Sequence, residues 1–520
     1  MKWYKKAIIA VVSLLFLIVL VNIALNFWIA KRLPHIINEA NESPYLITYK
    51  ELDISLLNRD LKATEIVLVP KSSLNNSANK AGIYANIESL DVANFNIWDL
   101  VFSNKIHAKS LTLTKPDITI IKDRSKQAKR DKKAVRDDIV APFSKLVYVS
   151  DVFMKNANVR MVDTDNQPIL TVYNMSFNLE EILITEETLA QKLPFSYGKY
   201  TVICDSLFYQ PSVFYQIRGK DFKTTEQNLT VGAFEMVPQQ SRKSFVKMIA
   251  REKDQFAIKG KRIVINQMKW GFNKDELFVN LDGLVLDEVD ANIYRNKMPE
   301  DDLTKKKLYN DLLRNIPFEL KVDTLFVKNS RLIYEEEVDF SKGPGILTFN
   351  KFNMFVTGIA SGKNKTKMPD VKINVKAQFM NVAPLEVDWT FNVLDKSDGF
   401  NIKGKILNFP AERISTFTKP YVNATIKGDL DEVYFNFSGN DDIARGDFAI
   451  NYDDLKVDIF KKKERKKKNK FLTSIANLFV KNDTKDKINA AEIEVERIKE
   501  KSFFNFLFRA IAEGLVKILI

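Results

Sequence analysis

The chain has 520 residues, 45% of them hydrophobic and 11% aromatic, with 37 Phe, so it carries ample apolar material for a core and is not pervasively disordered. Cys204 is the only cysteine and His35 and His107 are the only histidines, which excludes a disulfide-stapled fold and removes most zinc sites and histidine-based triads. The net charge of +13 sits largely in runs at Lys5-Lys6, 122–136 and 461–470; the middle run is diluted by Asp123, Asp131, Asp137 and Asp138 and reads as a solvated loop.

The first predicted element is residues 7–30, apolar except for Ser13, Asn22 and Asn26 and free of charge. At 1.5 Å per residue it is long enough for a bilayer core of about 30 Å, and Trp3, Tyr4 and Trp28 flank it where amphipathic rings favour the interface. A cleaved secretory signal would have a shorter apolar stretch and a small-x-small end, which residues 25–30 lack. The segment is therefore read as a single-pass anchor. Lys2, Lys5 and Lys6 precede it and Lys31 and Arg32 follow it, a slight bias toward a cytoplasmic N-terminus with the body on the far side.

From about residue 44 the apolar residues alternate with period two, as in Glu65-Ile66-Val67-Leu68-Val69 and in 371–377, the pattern of half-buried strands. Helical interruptions are expected at 185–192, 241–253, 301–315 and twice near the C-terminus. A degenerate unit recurs at 110–120, 151–161, 205–215 and 324–334: two alternating stretches around a polar link holding Pro, Asn or Ser. Such links favour turns, so each copy is read as a hairpin. The expected fold is mainly β: after one N-terminal transmembrane helix, a long curved antiparallel sheet of repeated hairpins, groove-like, with a few short helices and an amphipathic C-terminal helix. Its apolar face must be hidden by closure, by a second sheet, or by something apolar held in the groove. Candidate lining positions are Leu111, Leu113, Ile118, Ile120, Val152, Met154, Val159, Met161, Phe208, Val213, Leu325, Val327 and Leu332.

The run 461–470 includes Lys461, Lys462, Lys463, Lys466 and Lys467 and precedes an amphipathic stretch at 471–480. A basic cluster beside an amphipathic helix suits an anionic lipid surface, or equally a solvated loop before a packed helix. In 502–520, Phe504, Leu507, Phe508, Ile511, Leu515 and Ile518 form a stripe at helical spacing, with Arg509, Glu513 and Lys517 opposite. That helix covers the sheet end, binds a partner, or lies in a membrane interface.

One lysine-flanked apolar segment, strand-rich repeats and a C-terminal block together resemble the AsmA-like proteins of Gram-negative envelopes. The block runs Asn408-Phe409-Pro410-Ala411-Glu412-Arg413-Ile414, Gly428-Asp429-Leu430, Tyr434-Phe435-Asn436-Phe437-Ser438-Gly439, and on from Gly446-Asp447-Phe448 to Tyr452-Asp453-Asp454-Leu455-Lys456-Val457. The resemblance implies an inner-membrane-tethered periplasmic protein with a β-groove, and a role in phospholipid transport or outer-membrane assembly. It divides the chain into a stub and anchor (1–32), a groove body (33–370), an AsmA-like β-region (371–460) and a basic, helical end (461–520).

No phosphate-binding loop, nucleophile elbow or dinucleotide fingerprint occurs, and the carboxylate neighbours Glu335-Glu336-Glu337 and Asp441-Asp442 do not single out an acid–base pair. The chain is therefore read as a non-enzyme without cofactor or metal. Its basic run lacks interleaved aromatics, which argues against nucleic acid. Two readings stand: a lipid-binding and transfer protein whose partners are phospholipids and the inner membrane, and an assembly or scaffolding factor with a self-filled sheet, gripping an envelope protein through its C-terminal helix.

Overall fold

A computed structural model describes residues 45–55, 58–75, 80–96, 99, 105–122, 147–189, 191–193, 195–273, 276–459 and 487–519. The 7–30 segment, His35, most of the 122–136 run, the 461–470 run with its lysines, and 471–480 lie outside these residues. Among the described residues no helix is long and apolar enough to cross a membrane. The chain is mainly β and forms two compact units, Met1–Pro211 with Ile217–Glu226, and Ser212–Gln216 with Gln227–Ile520.

The first unit contains β1 (Tyr45–Thr48), β2 (Glu51–Ser55), β3 (Asp60–Pro70), α1 (Lys71–Asn75), β4 (Gly82–Ala93), β5 (Ile106–Thr114), β6 (Asp117–Lys122), β7 (Val147–Asp163), β8 (Pro168–Ile184), α2 (Glu186–Leu189), β9 (Tyr200–Tyr209) and β10 (Tyr215–Thr225). Its sheet is mixed rather than antiparallel throughout. β5 and β6 run end to end, both antiparallel to β4 and both parallel to β7, pairing Ile106 with Val147 and Asp117 with Asn158. A sequence-derived antiparallel sheet fails here because alternation reports which face a residue takes, not the direction of its neighbour.

The expected hairpins need the same correction. Only the copy at 205–215 turns back, with β10 antiparallel to β9. The copies at 151–161 and 324–334 lie inside single long strands, and the copy at 110–120 spans the collinear β5 and β6. At each link a residue adopts left-handed backbone: Lys115 (φ 45°), Asn156 (φ 55°) and Asn329 (φ 48°). Pairing registers shift at the last two, as at a β-bulge. Asn and polar residues suit a left-handed bulge for the same reason that they suit a turn.

The second unit repeats this arrangement. It contains β11 (Leu229–Val231), β12 (Phe234–Pro238), α3 (Arg242–Met248), β13 (Asp254–Gly260), β14 (Arg262–Asn266), β15 (Lys269–Asn273), β16 (Glu276–Asp287), β17 (Asp290–Asn296), α4 (Tyr309–Arg314), β18 (Glu319–Glu337), β19 (Gly345–Ala360), β20 (Val371–Phe379), β21 (Ala383–Phe391), β22 (Phe400–Pro410), α5 (Ser415–Val422), β23 (Ala424–Gly439), β24 (Ile443–Ile459), β25 (Asn489–Glu496) and α6 (Phe503–Leu519). Again β16 and β17 are collinear and parallel to one long strand, β18. Lys115 N donates to Lys155 O at 2.8 Å and Asn158 N to Pro116 O at 2.9 Å; Glu288 N donates to Lys328 O at 3.0 Å and Arg331 N to Val289 O at 2.8 Å. Each atom of the second set lies 173 residues after its counterpart, from 115 and 288 onward. The sequence agrees with this offset. Lys155-Asn156 matches Lys328-Asn329, and Lys132-Lys133-Ala134-Val135-Arg136-Asp137-Asp138-Ile139-Val140 parallels Lys305-Lys306-Lys307-Leu308-Tyr309-Asn310-Asp311-Leu312-Leu313. The chain thus contains an internal duplication, of bulged long strands rather than of hairpins.

The core of the second unit is closed by its own side chains. Phe503 of α6 stacks on Trp389 with ring centroids 4.5 Å apart and meets Phe400 edge-on at 5.1 Å. Phe437, Phe448, Ile450 and Val393 are fully buried beneath, and a Cβ on Gly514 would come within 2.3 Å of the Phe448 ring. Arg509 and Lys517 donate to Glu496 O (2.7 Å) and Glu492 O (3.0 Å), satisfying carbonyls of β25 that a bare strand would leave open. Predicted helices are shorter than expected: Asp301–Asn315 reduces to α4, the 241–253 segment to α3 capped by Ser241, and 185–192 to α2. A helical turn at Ala411–Ile414 leading into α5 was missed inside the block that carries the family resemblance.

An ionic latch ties three segments of this unit. Asp441, in the β23–β24 turn, binds Lys305 and Lys499 at 2.8 Å each and Arg497, whose side chain is fully buried. Burial works against the Asp441 charge, but hydrogen bonds from Lys305 and Lys499 and the Arg497 charge outweigh it and hold the carboxyl below its usual range.

Two outcomes follow from these local geometries. Asn156→Gly should leave stability nearly unchanged, whereas Asn156→Val should cost about 1–2 kcal/mol in chemical denaturation, because a β-branched residue resists left-handed backbone. Asp441→Asn strands a buried guanidinium and should cost about 3 kcal/mol near neutral pH. A depressed carboxylate stabilises above its unfolded pKa of about 3.9 and ceases to as pH falls through the lower folded value. Acid titration of stability should therefore be shallower below about pH 4 in Asp441→Asn than in the parent.

Candidate functional site: the apolar face of the first unit

Paired residues on neighbouring strands share a face. In the first unit this assembles most of the sequence-derived lining positions into cross-strand ladders. Leu111 lies beside Val152 and Val92, and Leu113 beside Met154 and Leu90. Past the kink, Ile118 lies beside Val159 and Ala85, and Ile120 beside Met161 and Ile83. The ladders continue through β8 and β9 as Leu179–Tyr200, Phe177–Val202, Val172–Leu207 and Leu170–Tyr209. Four apolar rows therefore cross the sheet, two on either side of the kinks.

Leu113 and Ile118 are five residues apart, as are Met154 and Val159, an odd spacing that a regular strand would split between two faces. The left-handed residue between them reverses that. The second unit demonstrates it directly: β20 carries no such residue inside it, and its Ile373 and Phe379, on one face, pair with Val356 and Phe349 on either side of Lys351 (φ 46°) in β19. Polar side chains mark the kink line across the first unit, with Asn156 Nδ2 donating to Asn174 Oδ1 (2.9 Å) and Asn174 Nδ2 to Asp205 Oδ2 (2.8 Å).

Phe208 belongs elsewhere. It pairs with Thr171 and Arg218, in the row of Tyr84, Thr119 and Arg160 on the opposite, polar face; Val172 and Leu207 hold the place assigned to it. Val213 lies in the link after β9 and is 53% exposed. Leu325 and Val327 occupy positions equivalent to Val152 and Met154 but pair with Val356 and Met354 at the second unit's core, while Leu332 pairs with Phe349. Leu90, Val92, Phe177, Leu179 and Val202 were missed, although period two within β4, β8 and β9 marks them.

Cover differs between the two units. In the second, Leu308, Leu313, Phe503 and Phe506 fill the face, so it is a packed core. In the first, Leu111, Leu113, Ile118, Ile120, Val152, Val159 and Met161 are half-buried, and of the row members named above Ala85, Met154 and Tyr200 are buried. One end is closed: Ala108, Val147, Val149 and Ile182 are buried, packed with Phe95, Phe195 and Tyr197. The other end, at Ile83, Ile120, Met161 and Leu170, stays half-buried, and Tyr209 there is 41% exposed.

On α6, which covers the sheet end, the stripe read from helical spacing is displaced. Phe504 (59%) and Phe508 (43%) are exposed, but Leu507, Ile511 and Leu515 pack against the core, and Phe503, Phe506, Ala510, Gly514 and Leu519 are buried. A helix apolar on nearly all sides gives a weak signal for which stripe faces inward.

Among the described residues, several groups that could do chemistry are engaged structurally. Glu335 accepts from Asn292 (2.7 Å) and pairs with Arg242 (2.5 Å), Glu336 with Tyr334 (2.8 Å) and Lys297 (3.4 Å), and Glu337 with Tyr294. His107 Nδ1 lies 2.8 Å from Asp99. Burial, with the Asp205 charge, pushes the Cys204 thiol up, away from thiolate reactivity. Among the described residues no group of three His, Cys, Asp or Glu could hold a metal ion. No protein-family model and no curated protein matches the chain.

A half-covered face and a packed core respond differently to charge. Ile120→Asp should cost about 1–2 kcal/mol and leave a cooperative unfolding transition, whereas Val356→Asp should cost more than about 4 kcal/mol or prevent folding. Equal, severe losses in chemical denaturation would mean that the first unit's face is as fully packed as the second's.

Proposed function

We propose that the chain is a membrane-anchored periplasmic lipid-binding and transfer protein that supports outer-membrane lipid homeostasis, with the apolar face of the first unit as its lipid-bearing surface. The observation that carries this reading is the set of four apolar rows left half-buried among the described residues, while the duplicated rows of the second unit are filled. Acyl chains suit such a surface: each methylene moved out of water contributes about 0.8 kcal/mol, and no polar partner is required. The uncharged 7–30 segment would hold the protein at the inner membrane. No reaction is assigned; Glu335, Glu336, Glu337 and His107 are each paired with a neighbouring side chain. A second reading, an envelope scaffolding factor, is favoured by the self-filled core of the second unit and by the exposure of Phe504 and Phe508 on α6.

Photo-crosslinking in cells separates the two. With p-benzoylphenylalanine at Ile120 or Met161 of the full-length chain and at Thr119 or Arg160 as opposite-face controls, irradiation should attach radiophosphate-labelled phospholipid at the first pair only. Folded, abundant protein labelled at neither face would remove the lipid reading and leave scaffolding.

A further inference from the structure

The second unit draws three distant segments together at one junction: the 249–253 link that leads into β13, the start of the 297–318 crossover, and the 497–502 lead into α6. Glu252 N donates to Glu300 O and Lys306 N to Lys499 O, each at 2.8 Å, so backbone bonds set the three side by side. Between them lie Glu252, Lys297, Asp301, Lys501 and, from the end of β18, Glu336. We infer that this junction is a proton-operated clasp, in which one proton shared by Glu252 and Asp301 holds the crossover and the lead into α6 against the start of β13.

Charge counting carries the inference. Lys297 Nζ bridges Glu252 at 3.0 Å and Glu336 at 3.4 Å, and Lys501 Nζ bridges Asp301 at 3.6 Å and Glu252 at 4.0 Å. Three carboxyls therefore meet two ammonium groups. The surplus negative charge falls where Glu252, with a side chain only 7% exposed, is the most buried of the five. Such a charge is costly unless a proton neutralises it. Glu252 and Asp301 also share a hydrogen bond, which two carboxyls form only when one of them is protonated.

The other charged and titratable groups around Glu252 are committed elsewhere. Arg295 binds Asp254 through two hydrogen bonds, at 2.6 and 2.7 Å, Arg242 pairs with Glu335, and Asp302 pairs with Lys306. Glu336 accepts from Tyr334 at 2.8 Å and from Tyr421 of α5; burial, then the Glu336 charge, pushes both phenols up, so they stay neutral. Lys253 lies 4.8 Å from the centre of the Phe214 ring, and Arg251 and Glu300 are exposed.

Burial pushes the Glu252 carboxyl up, helped by the Asp301 hydrogen bond and opposed by Lys297 and Lys501. A carboxyl raised on folding stabilises fully below its unfolded value of about 4.3 and ceases to as pH rises through the folded value. The clasp is therefore tight in acid and loosens with rising pH, once Glu252 and Asp301 both carry charge. Asp441, which grips the same crossover through Lys305, has the opposite sign and keeps its hold as the clasp opens.

Hydrogen–deuterium exchange of the full-length chain reads the clasp in peptides covering 249–253, 297–303 and 498–502, corrected for intrinsic exchange. Protection there should fall several-fold between about pH 5 and about pH 8, relative to the amides of β21 and β22. In Glu252→Gln the amide donates to Asp301 as the protonated acid does, so protection should stay at its acid level throughout. Asp301→Asn should behave likewise. In infrared difference spectra, the protonated-carboxyl band that Glu252→Gln removes should persist above about pH 5, where an ordinary glutamate is ionised. A band missing there overturns the shared proton. Protection that is independent of pH in the parent, or lost at every pH in both variants, would mean plain ion pairing to Lys297 and Lys501 and overturn the clasp.

Discussion

The architecture depends on one backbone device: a left-handed residue part-way along each long strand. A strand of 17 to 19 residues, such as β7 or β18, must keep one face apolar along its length while it bends with its sheet. The inserted residue permits both, since it bends the strand and restores the apolar positions beyond it to the same side. Without it, Val159 and Met161 would turn to solvent and Arg160 inward. The residues that hold this conformation, Asn156, Asn174 and Asn329 among them, are also the ones whose side chains or amides are tied into cross-strand hydrogen bonds. Positional requirements for left-handed backbone and for polar satisfaction therefore coincide at a single line across the sheet.

Given this shared scaffold, the units differ in what lies over the apolar rows. The second unit supplies its own cover from α6 and from the 297–318 crossover, whose Leu308 is almost completely buried, and locks that cover through Asp441, Arg497 and Lys499. Asn310 and Arg314 pin α4 further, donating to the carbonyls of Asn392, Gly399, Val393 and Asp395. Polar groups here orient apolar ones, so a slot that could accept a ligand becomes a fixed core. The first unit's described residues bring such cover to one end only.

Much of this was legible in the sequence, but in a particular way. Period two identified the strands and most of the lining positions, because half-burial writes itself directly into alternation. The change of parity between Leu113 and Ile118 was visible too, and was misread: Lys-Pro, Lys-Asn and Asn-Ser links suit a tight turn and a bulge equally, and only the pairing partner distinguishes them. Parallel pairing of β5 and β6 with β7 leaves no local signature, since direction is set by a connection of two dozen residues. Phe208 was placed on the wrong face because alternation in β9 shifts parity between Val202 and Leu207, with no proline or asparagine to announce it. On α6, apolar residues on nearly every side made the stripe containing Phe504 look equivalent to the one containing Phe503, which stacks on Trp389.

The contrast between the units also bears on what kind of ligand the half-covered face can take. Exposed apolar surface costs about 25 cal/mol per Å², and contiguous patches of several hundred Å² are rare on proteins unless something binds there. A ligand that repays this cost need only be apolar along most of its length, because among the described residues the rows between the kink line and the closed end are apolar but for Tyr200. Such a surface discriminates amphiphiles from polar metabolites strongly and among acyl chains weakly, since one methylene changes binding by only about 0.8 kcal/mol. Weak discrimination and partial cover both favour exchange over permanent retention. A filled core like that of the second unit has the opposite property, so under the function proposed above the two copies of the duplicated fold would divide carrying from holding.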